Sequence, residues 1–173
     1  GISVTDVDVN EGTGELKVDL RVSRGTLTVD LTVAGGLRAA NVTGNGTGLV
    51  TIDKAGPNQI NATLAALTGL KYQPTLNYNG PDSLVITADD KGNSGGIVPA
   101  TTATVPITVV AVNDAPQLPW TVSPAVPPAP STAEDTATHV VWPANAVVDV
   151  DVDEMPGDGR LAVTLSAGHG VLT

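Results

Sequence analysis

Between positions 16 and 22 every second residue is aliphatic (Leu16, Val18, Leu20, Val22), and Lys17, Asp19 and Arg21 lie between them. Between positions 27 and 33 the pattern returns, with Leu27, Val29, Leu31 and Val33 alternating with Thr28, Asp30 and Thr32. A period of two puts successive side chains on opposite faces of an extended chain. Each stretch therefore has one face that must be covered and one that can meet water. A helix, with its period of 3.6, would scatter both sets around its circumference. The alternation predicts half-buried antiparallel strands, and Ser23, Arg24 and Gly25 read as the turn of a hairpin joining the two.

Composition agrees. There is no Phe and aromatics are 2% of residues, so Val, Ile, Leu and Thr must fill the core. The β-branched types among them suit a pleated surface better than a helix. With 19 Gly and 13 Pro, many turns and few long helices are expected. At 173 residues, 41% of them hydrophobic, the chain is long enough for one large or two small domains.

Along the chain, residues 34–48 read as loop and 49–52 as a short strand. Ile60, Leu64 and Leu67 fall at helical spacing behind Asn58 as N-cap, predicting one short helix. Asn79-Gly80 reads as a turn, 83–87 as a strand and 89–96 as a polar turn. Ala103, Val105, Ile107, Val109 and Ala111 form a final alternating strand, in which Pro106 predicts an edge position or a bulge. That strand closes on VVAVNDAP, and residues 116–130 carry six prolines, which predict a stiff extended connector.

Beyond the connector the sequence repeats itself. At an offset of 145, with no gap, Asp6, Val7, Asp8, Gly12, Gly14, Leu16, Val18, Leu20, Gly25, Leu27 and Thr28 are identical to their partners. The expected organisation is a repeat over 1–115 lacking its first strand, a Pro-rich linker over 116–130, and the N-terminal part of a second repeat over 131–173. The abrupt, strand-like start without a signal-peptide pattern suggests a piece of something longer.

The segments GTLTVDL and INATLAALTGLKYQPTLNYNGPDSLVITADD, the Val/Ile/Thr strand ending in VNDAP, and AEDT at 133–136 ahead of an Asp-x-Asp together resemble the cadherin-like tandem repeats of very large bacterial surface proteins, which include repeat-rich adhesins and relatives of proteoglycan-type repeats. The resemblance covers nearly all of 1–116, and 131–173 as a partial copy. It implies an all-β Greek-key β-sandwich of cadherin or immunoglobulin type with one short helix, extracellular or cell-surface placement, structural or adhesive roles, and calcium between repeats. The connector is longer than such linkers usually are.

Charge and cysteine content exclude several classes. Eight Lys and Arg against 18 Asp and Glu give a formal charge of -10, which argues against nucleic acid. Without cysteine, disulfides, zinc–thiolate sites and thiol catalysis are excluded. No apolar run approaches the ~20 residues of a membrane span.

The acidic residues are placed where a divalent cation would be useful. Calcium takes six to eight oxygens in an adaptable cage. Asn113 and Asp114 end one repeat, Glu134 and Asp135 open the next, and Asp149, Asp151 and Asp153 share one face of an extended segment. Like charges on one face repel, and a cation would relieve them and couple the repeats. Asn113, Asp114, Glu134, Asp151 and Asp153 are expected to share one or more ions, with Asp6, Asp8 and Glu11 as the equivalent half-site of the first repeat. Solvated turn carboxylates are the competing explanation. DVDVNEG matches a helix-loop-helix calcium loop poorly, since Gly12 comes one position late and the flanks alternate like strands. Asp89, Asp90 and Asn93 are explained as a turn without metal.

Neither His139 nor His169 is accompanied by a nucleophile-elbow or metalloprotease motif, and the glycines form no phosphate-binding loop. Trp120 and Trp142 could stack on a sugar but more simply pin the connector. Asn41, Asn45 and Asn61 each open an N-x-Ser/Thr triplet, attributed to chance in a Thr-rich chain. The expected function is a non-enzymatic extracellular structural or adhesive repeat module, rigidified by calcium, whose partners are neighbouring repeats or copies of itself and a cell-surface or glycan receptor. Two other possibilities are a filament subunit assembled head to tail by strand complementation, and a carbohydrate-binding module.

Overall fold

The computed structural model describes residues 1–92, 100–118, 132–139, 147–153 and 159–172. They fall into two compact units, Gly1–Val110 and Ala111–Thr173. The division puts the VNDAP residues with the second unit, slightly ahead of the boundary expected at Ala115.

The first unit is all-β with one helix. Its elements are β1 (Leu16–Arg21), β2 (Gly25–Val29), β3 (Val42–Thr43), β4 (Leu49–Ala55), α1 (Pro57–Leu64), β5 (Leu70–Pro74), β6 (Gly80–Asp89) and β7 (Thr101–Val109). One antiparallel sheet has the order β3-β4-β1-β6-β7, and β2 pairs with β5 in a second. The alternation read at β1 holds: Leu16, Val18 and Leu20 are buried while Lys17 and Asp19 face outward. On that outer face Lys17 Nζ meets Asp19 Oδ2 at 2.9 Å and the Thr51 hydroxyl donates to Asp19 Oδ1 at 2.6 Å. Burial pushes the Asp19 carboxyl up, but these two partners outweigh it and hold the group below the usual range. Both sheets contribute to a single core: Leu27 and Val29 from β2 belong to one buried cluster with Val18, Leu20, Val50, Ile52, Leu84 and Ile86 from the larger sheet and Ile60 and Leu64 of α1. Two sheets around one core place the unit in the β-sandwich class.

The expected hairpin is not formed. β1 pairs with β4 and β6, whereas β2 pairs with β5. A hairpin would put both apolar rows on one face of one sheet. An arch sends the chain across the core, so that the two rows look at each other. The corner is held from elsewhere: Val22 N–H donates to Gly48 O at 2.9 Å and Leu27 N–H to Thr47 O at 2.8 Å.

Other expectations shift in detail. The stretch read as loop over 34–48 contains fully buried Leu37 and β3. The helix begins one residue earlier than its anticipated cap. Gly56 is the N-cap and Pro57 the first helical residue, where a missing N–H does no harm, so Asn58 lies inside the helix. Leu67 is past its end and fully exposed. Pro106 lies in an edge strand, since β7 pairs only with β6 among the described residues.

In the second unit, a two-residue bridge joins Gln117 and Val148, with Gln117 N–H to Val148 O at 2.6 Å and the reverse bond at 2.9 Å. Leu161, Val163 and Leu165, the copies of the β1 core row, are exposed and form no strand among the described residues.

Candidate functional site

Two Asp-x-Asp turns stand out, one in each unit. In the first, the Asp8 N–H donates to Asp6 Oδ1 at 3.2 Å and the chain enters a short 3-10 turn, Val9–Glu11, with Glu11 N–H bonded to Asp8 O at 2.8 Å. In the second, the Asp151 N–H donates to Asp149 Oδ1 at 3.4 Å. An aspartate bonding the backbone two residues on is a standard way to begin a turn. The matching bonds pair Asp6 with Asp149 and Asp8 with Asp151, an offset of 143 and not 145. DVDVNE and DVDVDE then agree at five of six positions, and two extra residues after Glu154 restore the glycine and leucine matches beyond.

In each turn a second carboxyl group lies close enough to perturb the first. The neighbouring Asp8 carboxyl, together with burial, raises the Asp6 pKa above the usual carboxylate range. The Asp151 carboxyl likewise raises that of Asp149. Asp151 is held low, by Asp149 and by the Asp114 backbone N–H, which donates to Asp151 Oδ2 at 2.5 Å. Asp6 adds a further feature: its Oδ2 is buried and has no hydrogen-bond partner. A buried carboxylate oxygen without a donor is costly unless protonated or met by a cation.

The remaining expected ligands are more dispersed. Glu11 is exposed on the short 3-10 turn. Asn113 is exposed, and its side-chain amide donates to Asp114 O at 2.9 Å. Glu134 and Asp135 form an exposed turn, with Thr136 N–H bonded to Ala133 O at 3.2 Å and Asp135 in the left-handed region at φ 57. Asp153 is exposed. Among the described residues no group of three or more acidic or histidine side chains converges. The structure thus brings the expected ligands together as two pairs, Asp6 with Asp8 and Asp149 with Asp151, and ties Asp114 to the second through its backbone.

The other singled-out residues have local roles. Asp89 Oδ1 and Asp90 Oδ1 accept the N–H groups of Lys91 and Gly92 at 2.8 and 2.9 Å, a self-contained turn; Asn93 lies outside the described residues. His139 and His169 are exposed, and Trp120 and Trp142 lie outside the described residues. All three sequon asparagines use their amides as backbone substitutes. Asn45 accepts from Val29 N–H at 2.7 Å and donates back to Val29 O at 3.0 Å, taking the place of a strand neighbour. Asn61 does the same for Val4, both bonds at 2.8 Å, and Asn41 donates to Lys54 O at 2.8 Å while accepting from Arg38 N–H at 3.0 Å. These roles account for the asparagines without a glycan. Comparison with protein-family models, curated proteins and solved structures gives no match.

Proposed function

We propose that the chain is a non-enzymatic, extracellular structural or adhesive module whose Asp-x-Asp turns take calcium and are stiffened by it. The observation that carries this reading is the Asp6–Asp8 pair with its buried, unpartnered Oδ2. Two like charges at a turn, one of them with an oxygen that meets no donor, are stabilised by a hard divalent cation, which prefers carboxylate and carbonyl oxygens. Asp6 and Asp8 would supply carboxylates in the first unit. Asp149 and Asp151 would do so in the second, where the Asp114 bond places the VNDAP segment beside the same turn. The ion would supply charge neutralisation and a cross-link between chain segments, with no covalent step. The resemblance to cadherin-like repeats of bacterial surface proteins supports the placement and the adhesive role.

Thermal melting in calcium and in chelator tests this. Extracellular calcium modules bind at ~10⁻⁴–10⁻³ M. At a tenfold excess over such a constant, one site adds roughly 1.4 kcal/mol. Melting should rise with calcium, and Asp6→Asn should remove most of the rise in the first unit's transition. A melting curve identical in calcium and chelator refutes the reading.

A further inference from the structure

An open groove of about 490 Å³ runs into the first unit, lined by parts of residues 3–7, by Leu16 of β1, by the end of β6 and by the start of β7. That volume lies within the ~300–1,000 Å³ of sites that hold an organic ligand, and a bare ion would leave most of it unfilled. The lining has two chemistries. Val4, Leu16, Ile86, Ala88 and Ala103 make one part of it apolar. Asp6, Asp89 and Asp90 bring three carboxylates, and Ser3, Thr5 and Thr101 bring hydroxyls that accept hydrogen bonds. No basic residue lines it.

The negative charge is not answered from within the chain. Asp6 Oδ2 is buried without a hydrogen-bond partner. Asp89 and Asp90 each accept one backbone N–H through Oδ1, at 2.8 and 2.9 Å, and a carboxylate has about four acceptor positions. The two lysines that the fold brings close are engaged elsewhere. Lys17, opposite Asp89 in the β1–β6 register, gives its Nζ to Asp19 at 2.9 Å, and Lys91, next to Asp90, gives its Nζ to Asp53. An apolar wall beside unneutralised carboxylates suits a cation on an aliphatic stem, the structure of a Lys or Arg side chain.

The neighbouring strand says how such a side chain would be presented. β7 pairs with β6 from Gly80↔Val109 to Ala88↔Thr101, and no described strand lies along its other edge. Ile86 stands opposite Ala103 in that register, and exposure rises from 8% at Ile86 to 44% at Val105, two residues along β7 from Ala103. An uncovered edge beside a groove is the arrangement by which an extended peptide binds: the backbone gives affinity, and pockets for alternate side chains give specificity.

We propose that this groove binds an extended segment of a partner protein through a Lys or Arg side chain, whose stem lies on the Leu16, Ile86, Ala88 and Ala103 side and whose charge is met by Asp6, Asp89 and Asp90. The contact needs no calcium and does not rest on the function proposed above.

Fluorescence anisotropy of the full chain in chelator tests this, with labelled peptides Thr-Val-Thr-Lys-Thr-Val-Thr and the same sequence carrying norleucine or Glu at its centre. In an extended peptide Val, Lys and Val share one face. The Lys peptide should bind saturably, and the other two at least about tenfold more weakly, the effect of one hydrogen-bonded charge. Asp89→Asn with Asp90→Asn keeps both turn acceptors and should weaken the Lys peptide by about tenfold or more. Ala103→Arg, which puts a cation of the chain's own at an exposed position of the groove, should abolish binding. Asp30→Asn removes a charge outside the groove and should leave the affinity unchanged. Circular dichroism melts confirm that each variant is folded. Amide NMR shifts of the wild type on adding the Lys peptide should cluster at Ile86, Ala88 and Ala103, and this decides the matter should a variant not fold. Three peptides that bind alike or not at all at millimolar concentration overturn the proposal. So does an Asp30→Asn loss equal to that of the double variant, or NMR shifts that lie away from the groove.

Discussion

Asp82 ties several segments of the first unit together, and its removal has a calculable effect. Its Oδ1 accepts the N–H groups of Ser23 and Ser83 at 3.2 and 2.8 Å, and its Oδ2 accepts the Arg24 N–H and the Tyr72 hydroxyl, both at 2.9 Å. One carboxylate therefore joins the β1–β2 arch, β5 and the start of β6. Burial pushes its pKa up, but the donors outweigh burial and hold it below the usual carboxylate range. In Asp82→Ala, water can replace the bonds to exposed Ser23 and Arg24, and Tyr72 keeps a second acceptor in Arg24 O at 3.2 Å. Hydrogen bonds to a charged group contribute ~1.5–3 kcal/mol each when buried. Discounted for this half-exposed site, the net loss is about 2 kcal/mol, or a fall of about 8 °C in Tm for a unit of this size. The folded pKa is depressed, so the stabilisation is present above the unfolded carboxylate pKa and lost as pH falls through the folded one. The Tm gap between wild type and Asp82→Ala should therefore close in acid. Paired melts from neutral to strongly acidic pH check it. A gap below about 2 °C at neutral pH, or one that does not shrink in acid, refutes the account.

The Tyr72 hydroxyl, partly buried and bonded to Asp82, has its pKa pushed from 10.0 up to about 12. The folded value is raised, so its stabilisation is complete below pH 10 and lost between there and about 12; Tyr72→Phe should flatten alkaline melting in that window, and equal slopes would count against it. Thr63 is fully buried, and its hydroxyl accepts the Leu37 N–H at 2.8 Å. Thr63→Val keeps the shape but leaves that N–H unpaired, so urea unfolding should show a loss of roughly 1–3 kcal/mol with unchanged m.

Faces were legible in the sequence, and partners were not. The period of two at β1 told which residues turn inward, because pleating alone dictates it. It did not tell that β1 and β2 belong to different sheets, because pairing depends on what lies across the core. Nothing in NGPDS marks Asp82, whose partners Ser23 and Arg24 stand 59 and 58 residues away. Asn45 and Asn61 looked like sequons, and only their distant backbone partners reveal them as substitutes for a strand neighbour. Leu161, Val163 and Leu165 carry the β1 pattern and yet stay exposed. A strand is a property of its surroundings as much as of its residues.

The Asp-x-Asp turns show the same limit within the candidate site. Gapless comparison weights glycines and leucines, which fix spacing in strands and turns, and so sets Asp6 against Asp151. The backbone instead repeats a chemical relation: a carboxylate bonded to the N–H two residues on, with the second carboxylate pressing against the first. That relation makes Asp149 and Asp151 the counterpart of Asp6 and Asp8. It leaves Asp153 exposed and aligned with Asn10, a neutral residue in the first copy. If calcium binds both turns in the same way, the common requirement is the Asp-x-Asp pair alone. Asp153→Asn should then leave calcium-dependent melting untouched, whereas Asp149→Asn removes the second unit's response. An equal loss from both would restore the longer ligand set.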